Sequence, residues 1–487
     1  MGGITPPDQI ETRLFINGEF VNASDGKTFE LISSKDNTVL VHVQEASEED
    51  TNRAVAAAKA AQPAWEELTV QERGAYFKKL AALIREHDRE FAQLEALSMG
   101  LPVSGYFHAA AAAKIFDHYS EAGYTIQGTS SLATPGFVNL TFRQPYGVVA
   151  AIIPWNVPVL FFAKKLAPAL ITGNTVVLKS SEKAPLTSAK LAVLIKQAGF
   201  PPGVINVLSG HGHISGSILS YHTDVRALSF TGSTRTGRLI QEASSKSNLK
   251  AISLELGGKS PAIVFEDADL EAAVTSTAHG IQSNSGQVCM ANSRIYVQDT
   301  IADRFIDLFK TKFSEIAKMG DPTSSETRHG PLVDKAQFDK VLEYIEMGKR
   351  DGNMILGPDS VSADKGYFIQ PTIFTSTSED SQIMKEEVFG PVVNINVFHS
   401  EKDVLAKAND TEYGLYASVF TKDISRAMRF AKGFQAGTVG INCSSPVTGA
   451  DTPFGGYKGS GVGREGMPYH SLDFFLETKS VIIKVAG

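Results

Sequence analysis

Between residues 147 and 265 short β-branched runs alternate with helical ones. Strand-like stretches fall at 148–153, 175–178, 205–208, 227–230, 251–254 and 262–265, and Gly173 and Gly199 close intervening helices. Strands separated by helices cannot pair as hairpins, so they assemble into a parallel sheet covered by those helices. A second alternating region covers 266–455, with helices near 300–318 and 423–433 and strands near 294–298, 391–398 and 437–441. The fold class is therefore α/β, with two sheet-bearing domains. At 487 residues the chain has room for about three units of ~150 residues each.

The first quarter is helical. Thr69 and Glu72 are spaced as a capping box, and Tyr76, Phe77, Leu80, Leu83 and Ile84 then share one face of a 3.6-residue period. A second run ends at Gly100, and an Ala-rich helix near 104–122 stops at Gly123. From Gly128 to Tyr146 the pattern becomes β-branched and aromatic around Pro135-Gly136, which predicts a strand pair. The tail from Lys479 to Val485 is another strand-like run. Either is an edge in want of a partner, which points to contacts between subunits.

Composition narrows the function. With 46 Lys+Arg against 53 Asp+Glu and no long run of either sign, a nucleic-acid surface is not expected. The longest apolar stretch, 148–163, is interrupted by Pro154, Asn156 and Pro158 and falls short of the ~20 residues of a membrane span. Two cysteines, Cys289 and Cys443, are too few for a disulfide framework or a thiolate zinc site. His211 and His213 lack a third ligand, so no metal is expected. No leader is apparent: Met1-Gly2 is followed by Pro6 where a myristoylation signal needs Ser or Thr, and a reducing cytoplasm is the expected location.

Four segments carry chemistry. Gly232-Ser233-Thr234-Arg235-Thr236-Gly237 joins a strand to a helix, either as a pyrophosphate cradle or as a tight turn needing small residues. Cys289 lies among small polar residues, Ser283 to Met290, as a nucleophile or a small core residue. Glu255 ends an apolar strand before Gly257-Gly258, where a desolvated carboxylate serves as a general base and a solvated one serves nothing. Asn156, in Pro154-Trp155-Asn156, is either an oxyanion donor or part of a turn. Cys443, in a loop beside Asn442 and Ser444, reads as neutral in catalysis.

Together with Lys179-Ser180-Ser181-Glu182, Glu387-Val388-Phe389-Gly390-Pro391, Pro453-Phe454-Gly455-Gly456 and Gly463-Arg464-Glu465, these motifs resemble the aldehyde dehydrogenase superfamily over nearly the whole chain. Asn156 lies 133 residues before Cys289, and Glu255 lies 34 before it, as that resemblance leads one to expect. It implies a Rossmann-like NAD-binding domain (1–122 and 146–257), a catalytic domain (258–457), and a small β bridging unit (123–145 and 458–487). Homodimers or homotetramers are implied as well.

The resemblance also implies roles. Cys289 adds to an aldehyde, Asn156 and a backbone N–H hold the oxyanion, and Glu255 activates water against the thioester, with Lys165 and Glu465 relaying protons. Gly232, Ser233 and Gly237 would meet the cofactor phosphates, Lys179 and Glu182 the adenosine ribose, Glu387 and Phe389 the nicotinamide side, with Trp155 and Leu256 as neighbours. NAD is favoured over NADP, since a 2′-phosphate would meet Glu182. The substrate pocket falls to Val157, Phe161, Lys164, Val288, Met290 and Cys443, with small residues through Ala450. Val157 leaves space for a medium-sized or aromatic aldehyde, while Lys164 either pairs with an acidic aldehyde or snorkels to solvent. Two alternatives remain: a coenzyme-A-acylating enzyme, disfavoured by Glu255 because acylating relatives usually lack that base, and a non-catalytic use of the fold.

Overall fold

The computed structural model describes residues 10–360, 363–449, 451–466 and 469–485. Ala450, Met1, Gly2 and Pro6 lie outside the described residues.

Five parallel strands form the centre of the first sheet in the spatial order Ala251–Glu255, Val225–Thr231, Val148–Ile152, Thr175–Lys179, Ile205–Leu208. They are mostly buried and apolar, and they connect through helices such as Pro158–Ile171, Leu186–Ala198 and Thr234–Lys246. Chain order reverses on either side of Val148–Ile152. The crevice outside the carboxyl ends of Val148–Ile152 and Val225–Thr231 is thus where an open parallel sheet takes its ligand. Trp155, Asn156 and Gly232 all follow those two ends.

The second sheet runs Asn353–Leu356, Thr372–Thr375, Val392–Phe398, Arg294–Gln298, Pro261–Val264, Tyr416–Phe420, Thr438–Ile441, parallel except for the first pair. The alternating pattern from 147 to 265 grouped its last strand with the first sheet. That strand, Pro261–Val264, instead lies inside the second sheet, because the chain crosses between sheets at Gly257-Gly258, where apolar periodicity gives no signal.

The helical expectations for the first quarter correspond to what is observed. Thr69 Oγ1 accepts from the Glu72 N–H at 3.2 Å, and the Glu72 carboxylate accepts from the Thr69 N–H at 2.8 Å. Helix Val70–Glu86 then buries Phe77, Leu80 and Ile84 completely. Gly100, at φ 79°, ends the next helix in the left-handed conformation that glycine adopts without strain.

Phe137–Pro145 pairs with the short strand Ser130–Ser131 on one side and with the tail, Leu476–Lys484, on the other. The tail strand therefore finds a partner within its own chain. Gly461–Val462, in the stretch expected to bridge, instead extends the first sheet beside Ala251–Glu255. A two-residue strand is too short for its period to be read from sequence. No helix among the described residues is long and apolar enough to cross a membrane.

The helical layer is held by Phe77 and Phe116, whose buried rings meet edge to face at 5.6 Å and 87°. Phe116→Ala leaves a cavity between helices Val70–Glu86 and His108–Ala122 and is expected to cost about 3–5 kcal/mol. Differential scanning fluorimetry should show a lowered melting temperature; an unchanged one would remove this contact from the account of stability.

Candidate active site

Strand Val148–Ile152 delivers the chain to Trp155-Asn156, and Pro158 starts the next helix at a position where its missing N–H costs nothing. That helix carries Phe161 and Lys164 toward one cavity, together with Val157 just before it. Lys165, on another face, is buried and bonded to Glu465 at 2.7 Å and to the Ser229 hydroxyl at 2.9 Å.

The segment leading to Cys289 is shaped by three successive left-handed residues, Asn284 (φ 48°), Ser285 (φ 53°) and Gly286 (φ 77°). A Cβ on Gly286 would lie 2.0 Å from the Gly390 carbonyl oxygen, so only glycine fits. Asn284 Nδ2 donates to the Asn156 carbonyl at 3.1 Å, and Asn156 Nδ2 donates to the Gln287 carbonyl at 3.0 Å. These bonds tie the two segments together and leave the second N–H of the Asn156 amide for an oxyanion. Cys289 and Asn156 line a cavity of about 930 Å³ along with Val157, Phe161, Lys164, Val288 and Met290.

Glu255 is buried at 1 % exposure, and neither of its carboxylate oxygens has a hydrogen-bond partner of normal geometry. It faces the Cys289 thiol. Burial first, and the nearby Glu465 second, push its carboxyl up to about 7, against the pull of Cys289 and of Lys165. Cys289 is itself pushed well above the usual thiol range, by burial and then by Glu255. Burial thus favours the neutral form of both groups.

The cofactor-side residues lie outside this cavity. Ser233 caps helix Thr234–Lys246 by accepting from the Thr236 N–H at 3.3 Å. A Cβ on Gly232 would meet the Phe230 ring at 2.5 Å, and one on Gly237 would meet Leu256 Cδ2 at 2.8 Å. Tight packing thus requires both glycines, and Leu256 serves as the apolar floor under that turn. Lys179 is buried and its ammonium lies 3.3 Å from the Glu182 carboxylate. Burial pushes Glu182 up, but Lys179 overrides it and holds the carboxyl below its usual range. Trp155 and Phe389 meet edge to face at 5.3 Å, and Glu387 Oε1 accepts from the Gly258 N–H at 2.9 Å.

One placement differs from expectation. Cys443 does not line the cavity: its thiol packs by Gly440 and interacts with the Tyr416 hydroxyl, and only later loop residues, Pro446, Thr448 and Gly449, reach the wall. Adjacency in sequence to a small-residue loop misled, because the chain turns at Asn442 (φ 55°). Lys164 is half-buried, with its ammonium over the rings of Phe161 and Phe454. Sequence reasoning missed Tyr106, Phe107, Ile115 and Tyr119, which form another part of the wall. The aromatic pair just before an Ala-rich helix was the available signal.

With this geometry in place, comparison with known proteins is decisive. Residues 20–481 match the aldehyde dehydrogenase family. The chain belongs to that family. An aldehyde dehydrogenase of Alternaria alternata is 45% identical over 477 residues, spanning 97% of this chain and 95% of the relative. Among solved structures, the aldehyde dehydrogenase KauB from Pseudomonas aeruginosa superposes with a TM-score of 0.95 at 40% identity, covering 98% of this chain and 97% of that one. The NAD+ complex of the Bacillus cereus aldehyde dehydrogenase superposes at 0.94 with 42% identity, again covering 98% and 97%.

For an aldehyde dehydrogenase with a buried base near neutrality, the sign of the pH dependence follows. Glu255 accepts a proton only when ionised, so kcat/KM should rise with pH through about 7 as the carboxyl loses its proton. A steady-state profile from pH 5.5 to 9 checks this, and Glu255→Gln should abolish that limb along with most of the turnover. A profile flat from pH 6 to 8 in the wild type would separate Glu255 from the rate.

Proposed function

We propose that this aldehyde dehydrogenase oxidises an aldehyde to the carboxylic acid with NAD, through covalent attachment to Cys289. The observation that carries the reading is the convergence of the Cys289 thiol, the Asn156 amide and the buried Glu255 carboxylate at one site. Glu255 takes the thiol proton, the thiolate adds to the aldehyde carbon, and the Asn156 Nδ2–H donates to the resulting oxyanion. NAD, when bound, accepts the hydride lost as the thiohemiacetal becomes a thioester. Lys165 with Glu465 passes the thiol proton onward, so that Glu255, ionised again, deprotonates the water that releases the acid.

The residues present fit a dinucleotide by the chemistry of their donors. Carboxylates suited to ribose hydroxyls stand at two places, Glu182 and Glu387, and the start of helix Thr234–Lys246, capped by Ser233, offers N–H groups to a phosphate. Gly232 and Gly237 would keep that turn low, Lys179 would hold the adenosine ribose with Glu182, and Trp155 and Phe389 would wall the nicotinamide side.

In this reading residues 1–122 and 146–257 form the NAD-binding domain, 258–457 the catalytic domain, and 123–145 with 458–487 the bridging unit. A homodimer or homotetramer is supported by apolar side chains left exposed on the three-stranded sheet and its hairpin, Leu132, Phe142, Ile482 and Ile483 among them. Two free cysteines suit the reducing cytoplasm. A medium-sized or aromatic aldehyde suits the apolar walls at Val157 and Phe161. Buried Glu255 favours hydrolysis over acyl transfer to coenzyme A.

Stopped-flow NADH fluorescence with an aldehyde panel, with and without coenzyme A, tests the activity. Wild type should form NADH and free acid without coenzyme A. Cys289→Ala should lose turnover by several orders of magnitude, while Cys443→Ala keeps most of it. NADH formation by Cys289→Ala would defeat the proposed mechanism.

Cofactor choice rests on Glu182. A 2′-phosphate removes a donor to the carboxylate and adds a like charge, repelled by roughly 4 kcal/mol at ~4 Å and a dielectric of ~20, before Lys179 and solvent reduce it. A preference for NAD of about ten- to several-hundred-fold remains, on the order of 1.4–3.5 kcal/mol. The kcat/KM ratio for the two cofactors should fall in Glu182→Ser; an unchanged ratio would show that another residue sets it.

A further inference from the structure

The cavity wall holds a cation with no counter-charge of its own. The Lys164 ammonium lies 5.4 Å from the centre of the Phe161 ring and 5.3 Å from that of Phe454, and all three residues line the cavity. Ring faces hold a cation in place without neutralising it. Among the described residues no carboxylate comes within ion-pair distance of Lys164, whereas its neighbour Lys165 takes Glu465 and the lining residue Lys318 takes Glu326. Exposed Lys114 and Arg328 add positive charge to the same wall, against a single lining acid outside an ion pair, Glu315.

On the basis of the aldehyde-oxidising reading, we propose that Lys164 selects substrates bearing a carboxylate at the end remote from the aldehyde. The apolar middle of such a molecule lies against Val157, Phe161 and Phe454. The polarity of the site fixes the orientation. A substrate carboxylate next to Cys289 would meet Glu255, whereas one at Lys164 gains a charge-assisted bond in a partly desolvated wall. Lys164 and Cys289 line the same cavity, so one molecule with a group at each end of a ring can address both.

The test compares 4-carboxybenzaldehyde with 4-methylbenzaldehyde, which have nearly the same shape, by initial rates of NADH formation at saturating NAD. Wild type is expected to favour the carboxylate in kcat/KM by at least about tenfold, chiefly through KM, and to lose part of that preference as salt is raised. Lys164→Met should lower the ratio by about tenfold or more, and Lys164→Arg should restore most of it. A wild-type ratio at or below unity, or a ratio unmoved in Lys164→Met, overturns the charge selection while leaving aldehyde oxidation standing. Oxidation of neither compound, nor of any aldehyde in the panel, removes the underlying reading and this one with it.

Discussion

The site depends on one close approach. At Gly257-Gly258 the backbone leaves the first sheet for the second, and there is no room there for a side chain. A Cβ on Gly258 would stand 2.3 Å from the Cys289 carbonyl oxygen, and one on Gly257 would stand 2.6 Å from the Glu387 carboxylate. Glu255, two residues before the crossing, is thereby set beside the nucleophile, and Glu387 is drawn onto the Gly258 N–H. Ser460 reinforces the seam, accepting from the Gly414 N–H at 2.8 Å and donating to the Gly257 carbonyl at 2.6 Å. The two large sheets meet beside Cys289 because the chain crosses between them there.

Electrostatics at the seam follows from burial. A carboxylate with no hydrogen bond in a dry site holds its proton more tightly, and the Glu465–Lys165 pair acts on Glu255 from a short distance with opposing signs. The Glu255 carboxyl is thus pushed toward neutrality by burial and by the charges around it. Lys259, just past the crossing, shows the same logic in reverse: its buried ammonium is unpartnered, and burial, aided by Arg294, lowers it to about 7. Unsatisfied polar groups in native proteins are uncommon, and here two of them flank the crossing within four residues of each other.

Much of this was legible in the sequence because its signals are local. Strand and helix periods, the Thr69–Glu72 box and the order of the motifs from Asn156 to Glu465 are read within short windows, and the family follows from them. What was not legible depends on where distant segments meet. The strand Pro261–Val264 looks like any other buried run, and its sheet is decided by the crossing before it. Cys443 sits next to pocket residues in sequence but is turned away by a left-handed Asn442. The aromatic wall from Tyr106 to Tyr119 reads as helix packing because its partner surface lies far along the chain, around Phe161, Val288 and Phe454.

Part of the unfavourable geometry lies around Cys289. Asn284 and Ser285 take left-handed backbone, Phe389 does so at φ 60°, and Glu255 and Lys259 are buried without partners, all within the shell around Cys289 and its cofactor side. Conformations of this kind cost of order 1–3 kcal/mol each and persist only where the surroundings fix them. Here those surroundings are the two sheets, whose central strands are mostly buried, and the helices packed on them. The ordinary parts of the fold hold a small set of unfavourable placements. Relaxing any of them, for instance by giving Glu255 a hydrogen-bond donor, would stabilise its charged form, lower its pKa and weaken it as a base near neutral pH.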